Sequence, residues 1–207
     1  MRQLSVIWQK LTSWLTERWL RIHTTDRVEA LTSEGCHYTP LPYVMIFQMF
    51  KDLKPGHRDV FVDIGCGKGR VLCCASRLNI KEAVGIELNP LLVEVAQRNV
   101  IRLRGARAPV NVVTVSAECY SYDGATILYL YNPFNERITR LVLAKLEDSY
   151  KRNPRLIRVV YANPLYEHAF LDSGLWEKYS EWSATEFPGF GCAVSFWRTQ
   201  AESEGKL

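Results

Sequence analysis

The sequence predicts an α/β fold, a doubly wound and mostly parallel sheet, on three observations. Short apolar, β-rich runs alternate with helical stretches along the middle of the chain, the order that builds parallel sheets. The first of these runs, Val60 to Ile64, meets Gly65, Gly67 and Gly69 and is followed at once by a helical stretch, the strand–glycine turn–helix unit of nucleotide-binding folds. The last part of the chain changes character. Trp176 to Ser183 and Cys192 to Arg198 alternate loosely around Phe187-Pro188-Gly189-Phe190-Gly191, which reads as an antiparallel hairpin.

The elements follow in order. Residues 1 to about 25 carry Leu4, Ile7, Trp8, Leu11, Leu15 and Ile22 at helical spacing, with Trp14 and Trp19 widening the apolar face. This amphipathic helix is expected to pack on the domain or on a second subunit; the competing reading lays it on a membrane surface or over the substrate. It is also the segment expected to carry acceptor specificity. Cys36-His37-Tyr38-Thr39-Pro40-Leu41-Pro42-Tyr43 is a loop stiffened by two prolines, leading into an apolar helix from Tyr43 to Leu53. Either Tyr38 and Thr39 line a site here, or Thr39 caps the helix with Pro40 in its first turn. After the first strand come a helix over 71–78, a second strand over 83–86 ending on Glu87, and a helix over 91–103 introduced by Asn89-Pro90. A β-branched third strand spans 110–115. The fourth, 126–131, runs into Asn132-Pro133-Phe134, and a helix over 136–150 precedes the fifth strand, 156–161, which ends near Asn163-Pro164. Five parallel strands and a hairpin make seven.

The glycine spacing narrows the ligand. Gly65-x-Gly67-x-Gly69 is not the dinucleotide pattern G-x-G-x-x-G/A, because Arg70 stands where the third small residue belongs. A phosphate-cradling P-loop is excluded by Gly69 after Lys68 and by Val62. Glu87 lies 87 − 65 = 22 residues after the first glycine, near the ~20-residue interval at which an acid meets ribose hydroxyls. Asp63 beside the turn would repel a pyrophosphate but suits an ammonium. A ligand with a ribose and an ammonium and no phosphate fits, and S-adenosylmethionine is such a ligand.

The run Val62-Asp63-Ile64-Gly65-Cys66-Gly67-Lys68-Gly69-Arg70, with Val84-Gly85-Ile86-Glu87-Leu88-Asn89-Pro90 after it, resembles the first motif and second-strand acid of class I S-adenosylmethionine-dependent methyltransferases. The resemblance covers roughly residues 38 to 165. It is closest to small methyltransferases of unassigned substrate, with a more distant similarity to non-SET histone lysine methyltransferases. It implies a Rossmann-like domain over 38–207, preceded by an N-terminal helix and linker over 1–37, with S-adenosylmethionine as cofactor and S-adenosylhomocysteine as product. Carried over position by position, it places Tyr38, Thr39, Asp63, Gly65, Cys66, Gly67, Gly69, Arg70, Glu87, Leu88, Ala117, Glu118 and Asn132 around the cofactor, and Asn132, Pro133 and Phe134 on the acceptor side. The pattern departs after the third strand. The family's adenine-holding acid aligns with Ser116, and Glu118 is displaced from it.

Asn132 is expected to accept a hydrogen bond from an acceptor N–H. Glu118, Tyr131, Tyr161 and His168 are base candidates by position only, and Asn163-Pro164 reads as a strand-to-helix corner. A protein lysine or a small metabolite is favoured as acceptor. Nucleic acid is disfavoured, since Asn132-Pro133-Phe134 is one proline short of the base-methylating motif and basic residues do not cluster along the sequence. A non-catalytic module sensing the cofactor is the alternative from another class. At 207 residues and net charge +4, with 47% apolar and 23% charged residues, the composition is that of an ordinary globular protein. Cys36, Cys66, Cys73, Cys74, Cys119 and Cys192 form no ligand-like spacing, so no metal is expected, and the thiols read as reduced in a cytoplasmic protein. No apolar run reaches the ~20 residues of a membrane span.

Overall fold

The computed structural model describes residues 2–25, 39–187 and 191–200, with side chains from residue 10 onward. Seven strands form one sheet: β1 (Val60–Ile64), β2 (Glu82–Glu87), β3 (Val110–Thr114), β4 (Ile127–Tyr131), β5 (Arg158–Ala162), β6 (Trp176–Trp182) and β7 (Val194–Thr199). Their order is β3-β2-β1-β4-β5-β7-β6. β1 to β5 are mutually parallel, and β7 runs antiparallel between β5 and β6. The helices are α1 (Arg2–Leu20), α2 (Tyr43–Leu53), α3 (Arg70–Ala75), α4 (Pro90–Arg102), α5 (Glu136–Arg152) and α6 (His168–Ser173).

The central strands are apolar throughout because both faces are covered. Alternate residues therefore feed two cores. Phe61, Ala83, Ile127, Tyr129 and Val160 face α2, α3 and the end of α1; Val62, Ile64, Val84, Leu128 and Leu130 face α5 and α6. Asn89 and Asn135 begin α4 and α5 as side-chain caps, accepting from Leu91 N–H at 3.0 Å and Ile138 N–H at 3.1 Å. Since β1 lies between β2 and β4, the order of the sheet reverses at β1, and the carboxyl ends of β1, β2 and β4 surround the crevice where open α/β sheets bind ligands.

Three elements differ from the sequence reading. The α2 cap is Pro42, without a side-chain cap bond, so Thr39 and Pro40 precede the helix and do not begin it. α6 was implied by the strand-to-helix corner at Asn163-Pro164 but given no bounds: six residues carry too little periodicity to be read. The largest difference is α1, which ends at Leu20 with Arg21 left-handed at φ 64°. Among its described side chains the buried ones are Glu17 and Leu20, whereas Leu11, Trp14 and Leu15 are 46%, 57% and 51% exposed. The helix does pack on the domain, but through its more polar side.

Candidate active site

The site grows from the turn after β1. Gly65, Gly67 and Gly69 have φ of 70°, 55° and 78°, in the left-handed region that glycine enters without steric cost. Gly65 and Cys66 donate their N–H groups to Ile86 O at 2.9 and 3.0 Å, and Gly69 donates to Cys66 O at 2.8 Å. This laces the turn to β2. A Cβ on Gly65 would stand 2.8 Å from Pro133 Cβ. The glycine turn and the corner after β4 are thus in contact, and only glycine permits that approach.

Glu87 ends β2 facing this turn. Its Oε2 accepts from Gly67 N–H at 2.9 Å, and its Oε1 accepts from Leu88 and Asn89 N–H, both at 2.9 Å. These use three of the roughly four acceptor positions of a carboxylate, leaving one for a ligand hydroxyl. Asp63 is buried at the end of β1, and its Oδ2 accepts from Leu72 N–H at 3.1 Å. Burial, against the help of that bond, lifts its carboxyl to about 7, and the neighbouring Glu87 charge pushes the same way. Two carboxylates beside one glycine turn make an acceptor-rich, phosphate-repelling site. The residues fit a ligand bearing hydroxyls and an ammonium.

Beyond β3, Val115 N–H donates to Glu87 O at 3.1 Å, so the short 3-10 helix Ala117–Cys119 lies next to Glu87. Ala117 and the half-buried Glu118 thus follow β3 at its carboxyl edge, and Tyr122 donates its hydroxyl to Ala117 O at 2.9 Å. Leu88 is exposed beside them.

On the β4 side, Asn132 is buried and left-handed at φ 37°, a conformation asparagine tolerates better than most residues. Its Oδ1 accepts from the Tyr161 hydroxyl at 3.1 Å, and Tyr166 N–H donates to that same hydroxyl at 3.3 Å. Tyr161, a base candidate by position only, thus holds the carboxamide. Asn163, also left-handed at φ 52°, donates its N–H to Ala193 O at 2.9 Å, which fits the plain strand-end corner expected.

Several predicted residues take other parts. Phe134 is buried with Leu130, Ile138 and Val142 in the α5-side core, leaving Pro133 against the turn. The Arg70 guanidinium points at the N-terminal segment: it donates to Thr24 Oγ1 at 2.7 Å, to Glu17 Oε1 at 2.9 Å and to Leu41 O at 3.0 Å. Its side chain is therefore structural, where the sequence reading put it on the cofactor. Cys66 is buried, its thiol pushed well up chiefly by burial and then by the Asp63 and Glu87 charges. His168 is exposed and bonded through Nε2 to Glu136 Oε1 at 2.9 Å. Tyr38 lies outside the described residues, and Thr39 is half-buried ahead of α2. Sequence reasoning missed Asn99, which donates to Lys68 O at 2.9 Å and to His23 O at 3.0 Å; a lone helix asparagine gives no signal of such a clamp. No group of three or more potential metal ligands occurs among the described residues.

Comparison with known proteins agrees with this geometry. Residues 35–128 match the family model described as ribosomal protein L11 methyltransferase (PrmA). A protein-lysine N-methyltransferase of Saccharolobus islandicus is 27% identical over 121 residues, 58% of this chain and 73% of that protein. These matches, with the fold, support a class I S-adenosylmethionine-dependent methyltransferase. The fold of this methyltransferase is shared with an RNA methyltransferase from Salinibacter ruber in complex with S-adenosyl-L-homocysteine, at TM-score 0.57 and 23% identity over 82% of this chain and 99% of that one. It is also shared with TrmN from Thermus thermophilus, at TM-score 0.60 and 10% identity over 77% and 49%. The methyltransferase matches support S-adenosylmethionine as the cofactor. No helix among the described residues is long and apolar enough to cross a membrane.

Proposed function

We propose that this methyltransferase transfers a methyl group directly to an amine, a protein lysine being the favoured acceptor and a small metabolite amine the next. The observation that carries this reading is the Asn132–Tyr161 pair at the carboxyl end of β4, joined to the glycine turn by the Gly65–Pro133 contact. S-adenosylmethionine, when bound, supplies a methyl group already activated on a sulfonium, so the chain's own task is alignment at about 3–3.5 Å.

In this reading Asp63 takes the cofactor's amino group, the Gly65 and Gly67 backbone its methionine part, and Glu87 a ribose hydroxyl through its remaining acceptor position. Ala117 and Glu118 flank the adenine. The Asn132 carboxamide, oriented by Tyr161, accepts an N–H of the incoming amine and directs its lone pair toward the methyl group. The name of the Saccharolobus islandicus relative supports a lysine acceptor, and a carbonyl acceptor in a buried corner suits an amine better than a hydrocarbon or a phosphate. Residues 38–207 form the catalytic domain in this reading, and residues 1–37 an N-terminal extension. The five described cysteines are free thiols, the state of a reducing cytoplasm, where we place the protein.

The test is incubation with methyl-labelled S-adenosylmethionine and a lysine-rich protein mixture, followed by acid hydrolysis. Label in methyl-lysine, lost in Asn132→Ala, is the expected outcome. Label that appears only in nucleotides contradicts the reading.

A further inference from the structure

Leu11, Trp14 and Leu15 of α1 face away from the domain. They recur at the i, i+3, i+4 spacing of one helix face and are about half exposed, as are Val44 and Phe47 on neighbouring α2. An exposed apolar surface of this kind marks a site of contact. Between the two helices a groove of about 400 Å³ is lined by Thr12, Thr16, Val44, Phe47, Gln48 and Lys51.

The exposed charges around these residues are predominantly basic. The fold brings three distant segments together here: Arg104 N–H donates to Leu20 O at 2.9 Å, and Arg107 N–H donates to Ser76 O at 2.8 Å. The Arg77 guanidinium lies 4.1 Å from the Trp19 ring centroid, and that of Arg18 lies 5.8 Å from Trp14. Lys10, Arg18, Arg21, Lys51, Arg104 and Arg107 are all exposed. On α1, α2 and these two loops the acids among the described side chains are Asp52, bonded to Gln48, and Glu17, buried against Arg70. The sequence reading found no basic cluster because these cations come from residues as far apart as 10 and 107.

We propose that this face docks on an anionic phospholipid surface. Tryptophan and leucine side chains partition into the headgroup–acyl boundary while arginine and lysine reach the lipid phosphates. A second copy of the chain fits poorly, since pairing through the same stripe would oppose two sets of cations. Nucleic acid would use the cations and gain little from Leu11, Leu15 and Val44.

The test is sedimentation of the full chain with vesicles of phosphatidylcholine alone and of phosphatidylcholine mixed with phosphatidylglycerol. Light scattering of the free protein and a gel shift with a tRNA pool accompany it. The expected result is partition onto the anionic vesicles, weakened by salt, and little onto the neutral ones. Arg18→Ala lowers partition about fivefold, the equivalent of about 1 kcal/mol per basic residue. Leu11→Glu/Leu15→Glu abolishes it while S-adenosylhomocysteine binding stays unchanged, which certifies the fold. Three results overturn the proposal: no partition onto anionic vesicles, a dimer that Leu11→Glu/Leu15→Glu splits, or tRNA binding with the vesicles ignored.

Discussion

At the residue scale the proposed chemistry turns on Asp63, Gly65, Asn132 and Tyr161. Burial raises the Asp63 carboxyl from 3.8 to about 7. Its protonated form is therefore favoured by the fold: the associated stability is fully present below the unfolded value and is lost as pH rises through about 7. Asp63→Asn, which keeps an acceptor for Leu72 N–H, should flatten the pH dependence of Tm over that window. The bound ammonium favours the ionised carboxylate, so S-adenosylhomocysteine affinity should rise between about pH 6 and 8 in the parent and not in Asp63→Asn, as read by calorimetry. Gly65→Ala combines a left-handed residue, about 1–2 kcal/mol by itself, with a Cβ 2.8 Å from Pro133. It should lower thermal stability and cofactor affinity together. Tyr161→Phe removes only the hydroxyl that sets Asn132. A fall in kcat of about tenfold, with cofactor affinity kept, is the expected split for a positioning residue acting on the acceptor.

Among the elements, β1, the glycine turn, β2 and Glu87 were legible because their signals are local. An apolar run, three glycines and an acid at a fixed interval need no tertiary information. The start of α4 at Asn89-Pro90 was legible for the same reason, whereas the Asn135 cap of α5 was not read. What the sequence could not yield was the direction of α1. Its apolar periodicity argues for burial, yet Arg70 captures the opposite side through Glu17 in a pair whose side chains are 4% and 7% exposed. That pair is non-local, 53 residues apart, and no pattern announces it. Phe134 and the guanidinium of Arg70 were assigned to the site by motif position, and in the fold core packing claims the first and the N-terminal segment the second. Glu17→Ala leaves a buried guanidinium short of its counter-charge, a loss of about 3–5 kcal/mol. Chemical denaturation should show that loss, with cofactor affinity in the surviving folded protein changed much less.

Across the whole molecule, the sheet order places β1 between β2 and β4, so Glu87, the glycine turn and the Asn132 corner meet at one edge although Glu87 and Asn132 are 45 residues apart (132 − 87 = 45). The cationic, apolar face made by α1, α2 and the 103–107 loop is built from other parts of the fold, which lets the docking variants and the cofactor variants be read independently. The most direct measurement of the central claim is calorimetric titration of the folded protein with S-adenosylhomocysteine, for the parent and for Glu87→Ala. Micromolar binding by the parent, weakened at least about tenfold (~1.4 kcal/mol) in the variant, is the expected result. Full-affinity binding by Glu87→Ala, or silence from a folded parent, would contradict the assignment of the glycine turn and Glu87 as the cofactor site.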